Sequence, residues 1–208
     1  MSEQLTLFGR TPSAVDVEQP IQRIKGLNYI PEYITQVQER ELINKIDQEP
    51  WMNDLKRRVQ HYGYKYDYKA RRIDHTMRIG DLPPWGLEIG QRLCKDGYFN
   101  DVPDQLIINE YKAGQGISRH VDCEPCFEDT IISLSLGDAV VMQLINTINS
   151  TEVVKILLEP RSIIILKSDA RYMWQHEIKP RKSHIYNGTK YPLKRRVSLT
   201  YRRVILND

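Results

Sequence analysis

The chain is poor in cysteine and phenylalanine and has no long apolar run. Three Cys and three Phe stand among 208 residues. No apolar stretch approaches the roughly 18 residues a membrane-spanning helix needs, so no membrane partner is expected. The N-terminal MSEQLTLFGR lacks the basic-then-apolar order of a signal peptide. Few cysteines and no export signal lead to the expectation of a reducing, cytoplasmic setting with free thiols. No internal repeat or low-complexity segment is found, which excludes a solenoid. What is present is 40% apolar and 27% charged residues, enough for a real core. That composition excludes a disordered tail, a collagen-like rod and a disulfide-stapled miniprotein. The length suits about one domain, expected to be monomeric.

Acid is absent from one long stretch. Lys179 to Arg203 holds nine Lys/Arg and no Asp or Glu, and Lys56 to Arg72 holds seven Lys/Arg against Asp67 alone. The whole chain is only +3, so the remainder is net acidic. Such clusters suit a polyanion, although a single basic run is as readily a solvated face. Tyr62, Tyr64, Tyr66 and Tyr68 stand among Lys65, Lys69, Arg71 and Arg72. Rings for stacking beside cations for phosphates is how unpaired bases are held. Alternate tyrosines on an amphipathic strand would show the same spacing.

Residues 1–20 read as a loose arm, and 21–208 as a single domain. Ile34, Val37, Leu42, Ile43 and Ile46 recur at helical spacing and predict a helix from Pro31 to Asp47, stopped near Pro50. Residues 57–68 predict an extended segment or hairpin bending at Gly63. Pro83-Pro84 opens a second helix that ends at Gly97. Strands are predicted at 105–111, 130–136, 139–145, 152–158, 162–166, 171–177 and 196–205, punctuated by turn residues. The expected class is α+β, mainly β: an antiparallel jelly roll over about 103–205 with two N-terminal helices packed on one face.

The chemistry concentrates in NEYKAGQGISRHVD, residues 109–122. On an extended strand His120 and Asp122 would point to the same side. One imidazole and one carboxylate make two ligands of a three-ligand facial site, which keeps positions open for substrate and dioxygen. His176 is the candidate third ligand and His184 its rival. In RRVSLTYRR, Arg196, Ser198, Thr200 and Arg202 share one face and Val197, Leu199 and Tyr201 the other. Two arginines there could clamp a dicarboxylate through bidentate forks. A solvated edge strand would carry the same basic residues.

Taken together, Asn109-x-Tyr111, His120-x-Asp122, His176 and Arg196-x5-Arg202 resemble the AlkB family of iron(II)- and 2-oxoglutarate-dependent dioxygenases, over about residues 60–203. The resemblance implies a double-stranded β-helix, with Fe(II) held by His120, Asp122 and His176. It implies 2-oxoglutarate and O2 as co-substrates. Asn109 and Tyr111 would hydrogen-bond 2-oxoglutarate, Arg202 would sit near its iron-bound end, and Arg196 would pair with its distal carboxylate. It further implies a nucleotide-recognition lid over 56–85, with Tyr64 and Tyr66 against the substrate, and Glu124 facing the target base. Cys123 and Cys126 read as ordinary pocket-wall thiols.

The implied activity is oxidative dealkylation of N-alkylated nucleobases in DNA or RNA, with release of aldehyde, succinate and CO2. The expected partner is single-stranded DNA or RNA, or tRNA. RRVQHYGYKYDY and HEIKPRKS are also similar to the branch that hydroxylates a wobble uridine in tRNA. A protein-side-chain hydroxylase fits the basic, tyrosine-rich lid less well. A non-catalytic RNA-binding module would have no need of both arginines.

Overall fold

The computed structural model describes residues 21–53 and 55–206; the arm expected over 1–20 lies outside them. Two sheets face each other. The larger has the order β1 (Leu27–Ile30), β8 (Ile163–Leu166), β5 (Ile131–Gly137), β12 (Arg195–Arg202), β3 (Gln105–Lys112) and β2 (Val59–Tyr62). The smaller runs β4 (Ile117–His120), β9 (Trp174–Ile178), β6 (Val140–Asn146) and β7 (Val153–Leu158). A separate hairpin joins β10 (Ser183–Tyr186) to β11 (Thr189–Pro192). All pairings are antiparallel. This is the jelly roll that the strand spacing implied.

Helix α1 spans Gln36–Gln48 and α2 spans Pro84–Lys95. The predicted start at Pro31 is five residues early. Thr35 accepts from the Gln38 amide while the Gln38 side chain accepts from the Thr35 amide, so this capping box decides where α1 begins. Helix α2 starts on Pro84, whose missing N–H costs nothing in a first turn. Leu42 and Ile46 from α1, and Trp85, Ile89 and Leu93 from α2, bury their side chains against Leu106, Ile132, Leu134, Val197, Leu199 and Tyr201 on one face of the larger sheet. Both helices thus cover a single face. The opposite face turns toward Met142, Leu144 and Ile178 of the smaller sheet. Tyr186 of the β10–β11 hairpin closes over Val141 and Leu157. Among the described residues no helix is long and apolar enough to cross a membrane.

Three elements differ from the sequence expectation. The strand expected over 171–177 begins only at Trp174, because Asp169–Tyr172 forms the short helix α3. Of the two readings of residues 57–68 the extended one holds, over β2, but no local hairpin forms: β2 ends at Tyr62 and pairs with β3, 40 or more positions along the chain. Gly63 bends the chain there with φ +78°, and a Cβ on it would sit 1.8 Å from the Asp104 carbonyl oxygen, so glycine is required. β1, β4 and the β10–β11 hairpin carry too few alternating apolar residues to have been picked out.

Candidate active site

β12 lies in the middle of the larger sheet, between β3 and β5, and not at an edge. Its period-two pattern therefore has a partner on each face. Val197, Leu199 and Tyr201 meet the helices, while Arg196, Ser198, Thr200 and Arg202 line a cavity of about 340 Å³ between the sheets. In register beside them on β3, Tyr111 faces Arg196 and Asn109 faces Ser198. Both β3 side chains are on the cavity wall. Alternation on two neighbouring strands is what gathers these four polar groups.

Across the cavity, β4 and β9 bring His120 directly opposite His176, with ring centroids 4.2 Å apart. β4 stops at His120, so Asp122 stands in the loop that follows, two residues along but no longer on the strand. Its Oδ1 is nevertheless 3.6 Å from His120 Nε2. The ligand atoms of His120, Asp122 and His176 all lie within 4.8 Å of one another, so these three could hold one metal ion. His184 is not in that cluster. It is buried on β10, where burial and the nearby Arg181 and Arg196 lower its pKa.

The donor set suits a divalent transition metal. His120 Nδ1 is 2.7 Å from the Ser118 carbonyl oxygen, which calls for an N–H there and leaves Nε2 as the lone-pair nitrogen. Burial first, then the electrostatics of His120, Arg202 and Arg171, pushes His176 down to about 3, against the pull of Asp122, so its imidazole is neutral at ordinary pH. Burial would raise the Asp122 carboxyl, but Arg202, His120 and His176 outweigh it and hold it well below the usual carboxylate range. Two imidazoles, each with a ring nitrogen to offer, and one carboxylate on one side make a facial set with the remaining positions open.

The arginines fit an anion. Arg196 is 1% exposed, and burial pushes it down to about 10. Its Nη2 donates to Ser135 Oγ at 2.9 Å and its guanidinium lies over the Tyr111 ring, while Nε has no partner. A buried cation held by a hydroxyl and a ring is poised for a carboxylate. Arg202 sits at the other end, reaching both Asp122 oxygens at 3.4 Å and Gln105 Oε1 at 3.4 Å, with its guanidinium over Phe127. The two guanidiniums stand at opposite ends of the four-residue polar row of β12.

The expected substrate residues divide. Tyr66 lines the cavity; Tyr64 and Glu124 do not. Tyr64 packs on the apolar core while its carbonyl accepts from Gln105 Nε2. Glu124 is exposed in the short 3-10 turn Glu124–Cys126. The expected free thiols at Cys123 and Cys126 are corrected: the two are joined in a disulfide, and Cys94 is the free cysteine. Four further residues belong to the candidate site. The sequence shows Tyr68 and Arg71 only as members of the basic, tyrosine-rich run and assigns Arg57 and Arg171 no role. Tyr68 and Arg71 line the cavity beside Tyr66, Arg57 reaches Asn109, and buried Arg171 donates to the carbonyls of Asp122 and Cys123 at 2.9 and 3.1 Å. The rings of Tyr66 and Tyr68 meet edge-on at 5.0 Å. Arg171 was visible only as part of the pattern leading to His176.

A β-sandwich with two histidines and an aspartate at its mouth and paired arginines deeper in defines a class, the non-haem iron oxygenases that use a 2-oxo acid. The sequence profile of the 2OG-Fe(II) oxygenase superfamily matches residues 26–202. An uncharacterized protein of Acanthamoeba polyphaga mimivirus is 36% identical over 182 residues, covering 88% of this chain and 86% of its own. The mouse tRNA (carboxymethyluridine(34)-5-O)-methyltransferase ALKBH8 is 38% identical over 168 residues, 76% of this chain but 24% of the mouse protein. The Arabidopsis thaliana alkylated DNA repair protein ALKBH8 homolog is 34% identical over 203 residues, 87% of this chain and 59% of that protein. The structure of OsALKBH1 superimposes with a TM-score of 0.61 at 18% identity, over 86% of this chain and 96% of that one. A Pseudomonas putida prolyl-4-hydroxylase does so with 0.55 at 14% identity, over 90% and 97%. The chain belongs to the 2OG-Fe(II) oxygenase superfamily, in its AlkB-like family. It is a dioxygenase that uses Fe(II), 2-oxoglutarate and O2.

Proposed function

We propose that this dioxygenase oxidises a carbon attached to a nucleobase within a nucleic-acid strand. The observation that carries the proposal is the meeting of the two basic runs. The amide of Gly114 donates to the Arg181 carbonyl at 3.0 Å, and Gln115 Nε2 donates to the Lys56 carbonyl at 2.8 Å. Runs more than 100 positions apart are thereby tied to one loop, with Lys56, Lys112, Arg181 and Lys182 exposed around it. Exposed Arg119 and Arg71 continue the basic rim onto the cavity wall, where Tyr66 and Tyr68 offer rings to a base. Cations on the rim for phosphates and rings inside for a base are the division of labour that an extruded nucleotide needs.

In this proposal His120, Asp122 and His176 hold Fe(II). Asn109 and Tyr111 hydrogen-bond 2-oxoglutarate, Arg196 pairs with its distal carboxylate, and Arg202 stands near its metal-bound end. The bound iron and 2-oxoglutarate supply oxygen activation and transfer of one oxygen atom to a C–H bond. The chain orients the reactants and keeps water from the cavity; Phe127, Ile131, Met142, Ile164 and Leu166 form its apolar wall. Residues 56–85 act as the lid, with Tyr66 stacking on the base.

The first form of the reaction is dealkylation: a hydroxylated carbon on a ring nitrogen breaks away as an aldehyde. The name of the Arabidopsis relative, an alkylated DNA repair protein, supports it. A second form, hydroxylation of a carbon side chain on a tRNA uridine, is favoured by the mouse relative, whose name refers to carboxymethyluridine 34 of tRNA. There the alcohol stays on the base. Succinate and aldehyde measured together on N-methylated single-stranded DNA, N-methylated RNA and bulk tRNA separate the two. Equal amounts of both products mean dealkylation, and tRNA-stimulated succinate without aldehyde means hydroxylation. No stimulation by any of the three removes nucleic acid as the substrate.

A further inference from the structure

Arg57 stands at the entry to β2 and reaches into the co-substrate end of the cavity. Its Nε donates to Asn109 Oδ1 at 2.8 Å, its guanidinium lies 5.7 Å over the Tyr111 ring, and it shares the cavity wall with both. A guanidinium has only N–H groups to offer, so the Asn109 atom that meets it is the carbonyl oxygen. An asparagine amide is two-ended, and without such a partner either end can face a ligand. With its oxygen taken, Asn109 presents its NH2 group. Asn109 is 6% exposed and on the cavity wall, so that donor serves the cavity and not bulk water. An NH2 suits a carboxylate or keto oxygen; the carbonyl end would repel it.

The backbone on both sides of Arg57 is clamped to the strand that carries Asn109 and Tyr111, or to its following loop. The Lys56 carbonyl accepts from Gln115, the Arg58 carbonyl accepts from the Glu110 amide at 3.0 Å, and the Arg58 guanidinium forks onto Glu110 at 2.7 and 2.6 Å. Arg58 also stacks over Trp51. Arg57 is therefore anchored before any ligand arrives. Its side chain is the one part of this clamp that meets Asn109.

We propose that Arg57 is a positioning residue for 2-oxoglutarate, which fixes the Asn109 amide with its donor end toward the co-substrate and acts through that hydrogen bond, not through charge. The inference rests on the site for 2-oxoglutarate proposed above. The test is calorimetric titration of 2-oxoglutarate into the Mn(II)-loaded chain without oxygen, so that binding is read apart from turnover. Arg57→Ala raises the Kd about tenfold, the size of one lost hydrogen bond. Arg57→Gln, whose amide NH2 can still donate to Asn109, stays within about threefold of the unaltered chain. In an Asn109→Ala background Arg57→Ala adds nothing, because its effect passes through Asn109. Mn(II) affinity is unchanged in both Arg57 variants, which shows that the site is folded. An unchanged Kd in Arg57→Ala, a Gln variant as weak as the Ala variant, or additive effects in the double variant overturns the inference. Arg196→Ala separates the two levels: if it too leaves the Kd unchanged, the site for 2-oxoglutarate is elsewhere and the inference falls with it.

Discussion

The pKa values of His176 and Asp122 are both lowered, which leaves the imidazole neutral and the carboxyl ionised. Burial first and then the charges around it keep His176 neutral, while Arg202 leads the groups that keep Asp122 ionised, so both stand in their ligand forms before a metal arrives. Ala in place of His120, Asp122 or His176 is expected to abolish tight Fe(II) or Mn(II) binding and turnover, because three ligands are the minimum for this set. His184→Ala is expected to keep both, and metal titration of the four variants checks the assignment. Arg171 touches no metal atom. Its two hydrogen bonds hold the loop carbonyls on either side of the peptide that leads out of Asp122. Arg171→Leu is expected to weaken metal affinity by about 10- to 100-fold with the three ligands intact, as loss of supporting contacts does elsewhere. Equal metal affinity in the two chains would show that the loop holds itself.

At the scale of elements, the segment that follows β2 meets the loop after β4 through Arg71. Its carbonyl oxygen lies 3.1 and 3.4 Å from the sulfurs of Cys123 and Cys126, and its Nη2 reaches the Val121 carbonyl at 3.5 Å. The wall proposed to meet substrate and the loop carrying Asp122 are therefore in direct contact. The disulfide is checked directly by thiol titration of the unfolded chain: one thiol before reduction, from Cys94, and three after. Two tyrosines that the sequence had grouped have different surroundings: Tyr66 lines the cavity and Tyr64 does not. Tyr66→Ala is expected to cost roughly 1–3 kcal/mol of single-strand binding, and Tyr64→Ala close to none. Binding of an oligonucleotide should also weaken with salt, with a log-log slope of about −0.7 per phosphate contacted. Lys56→Ala should flatten that slope and Tyr66→Ala should not. A flat salt dependence in the unaltered chain removes the basic rim as a strand path.

Across the whole molecule, one ionic network ties the entry to the lid, the larger sheet and the outer helix together. Glu110 on β3 is all but buried and pairs with Arg58 and with Arg195 of β12, and Arg195 also reaches Asp47 of α1. Burial would raise the Glu110 carboxyl, but Arg58 and Arg195 outweigh it and hold it below 4.5. A carboxylate lowered in the folded state binds fewer protons there than in the unfolded chain. Its contribution is thus complete above pH 4.5 and is lost as pH falls through the lower folded value. Thermal unfolding of the unaltered chain should fall in Tm over that acid range. Glu110→Gln should be less stable at pH 7 by about 1–3 kcal/mol, because two guanidiniums lose their carboxylate, and flatter below pH 4.5. Parallel curves for the two chains would exclude Glu110 as a source of the acid sensitivity.

The sequence by itself determined what neighbours along the chain can encode. Period-two alternation in RRVSLTYRR marked a strand with a polar face, Thr35 and Gln38 carried the cap of α1, and Pro83-Pro84 with Gly97 bracketed α2. The order of Asn109, Tyr111, His120, Asp122, His176, Arg196 and Arg202 was enough to point to a family and its cofactors. Tertiary structure alone decided the rest. Arg57 meets Asn109 across 52 positions and Arg171 meets Asp122 across 49, and a donor and acceptor that far apart leave no periodic trace. Asp122 was expected on a strand with His120; β4 ends first, and the loop held by Arg171 supplies its direction. Tyr64 and Tyr66 would share a face only on an extended strand, but β2 ends at Tyr62 and neither tyrosine lies in a strand. Local patterns follow from backbone geometry, whereas the wall a side chain faces is decided when distant strands come into register.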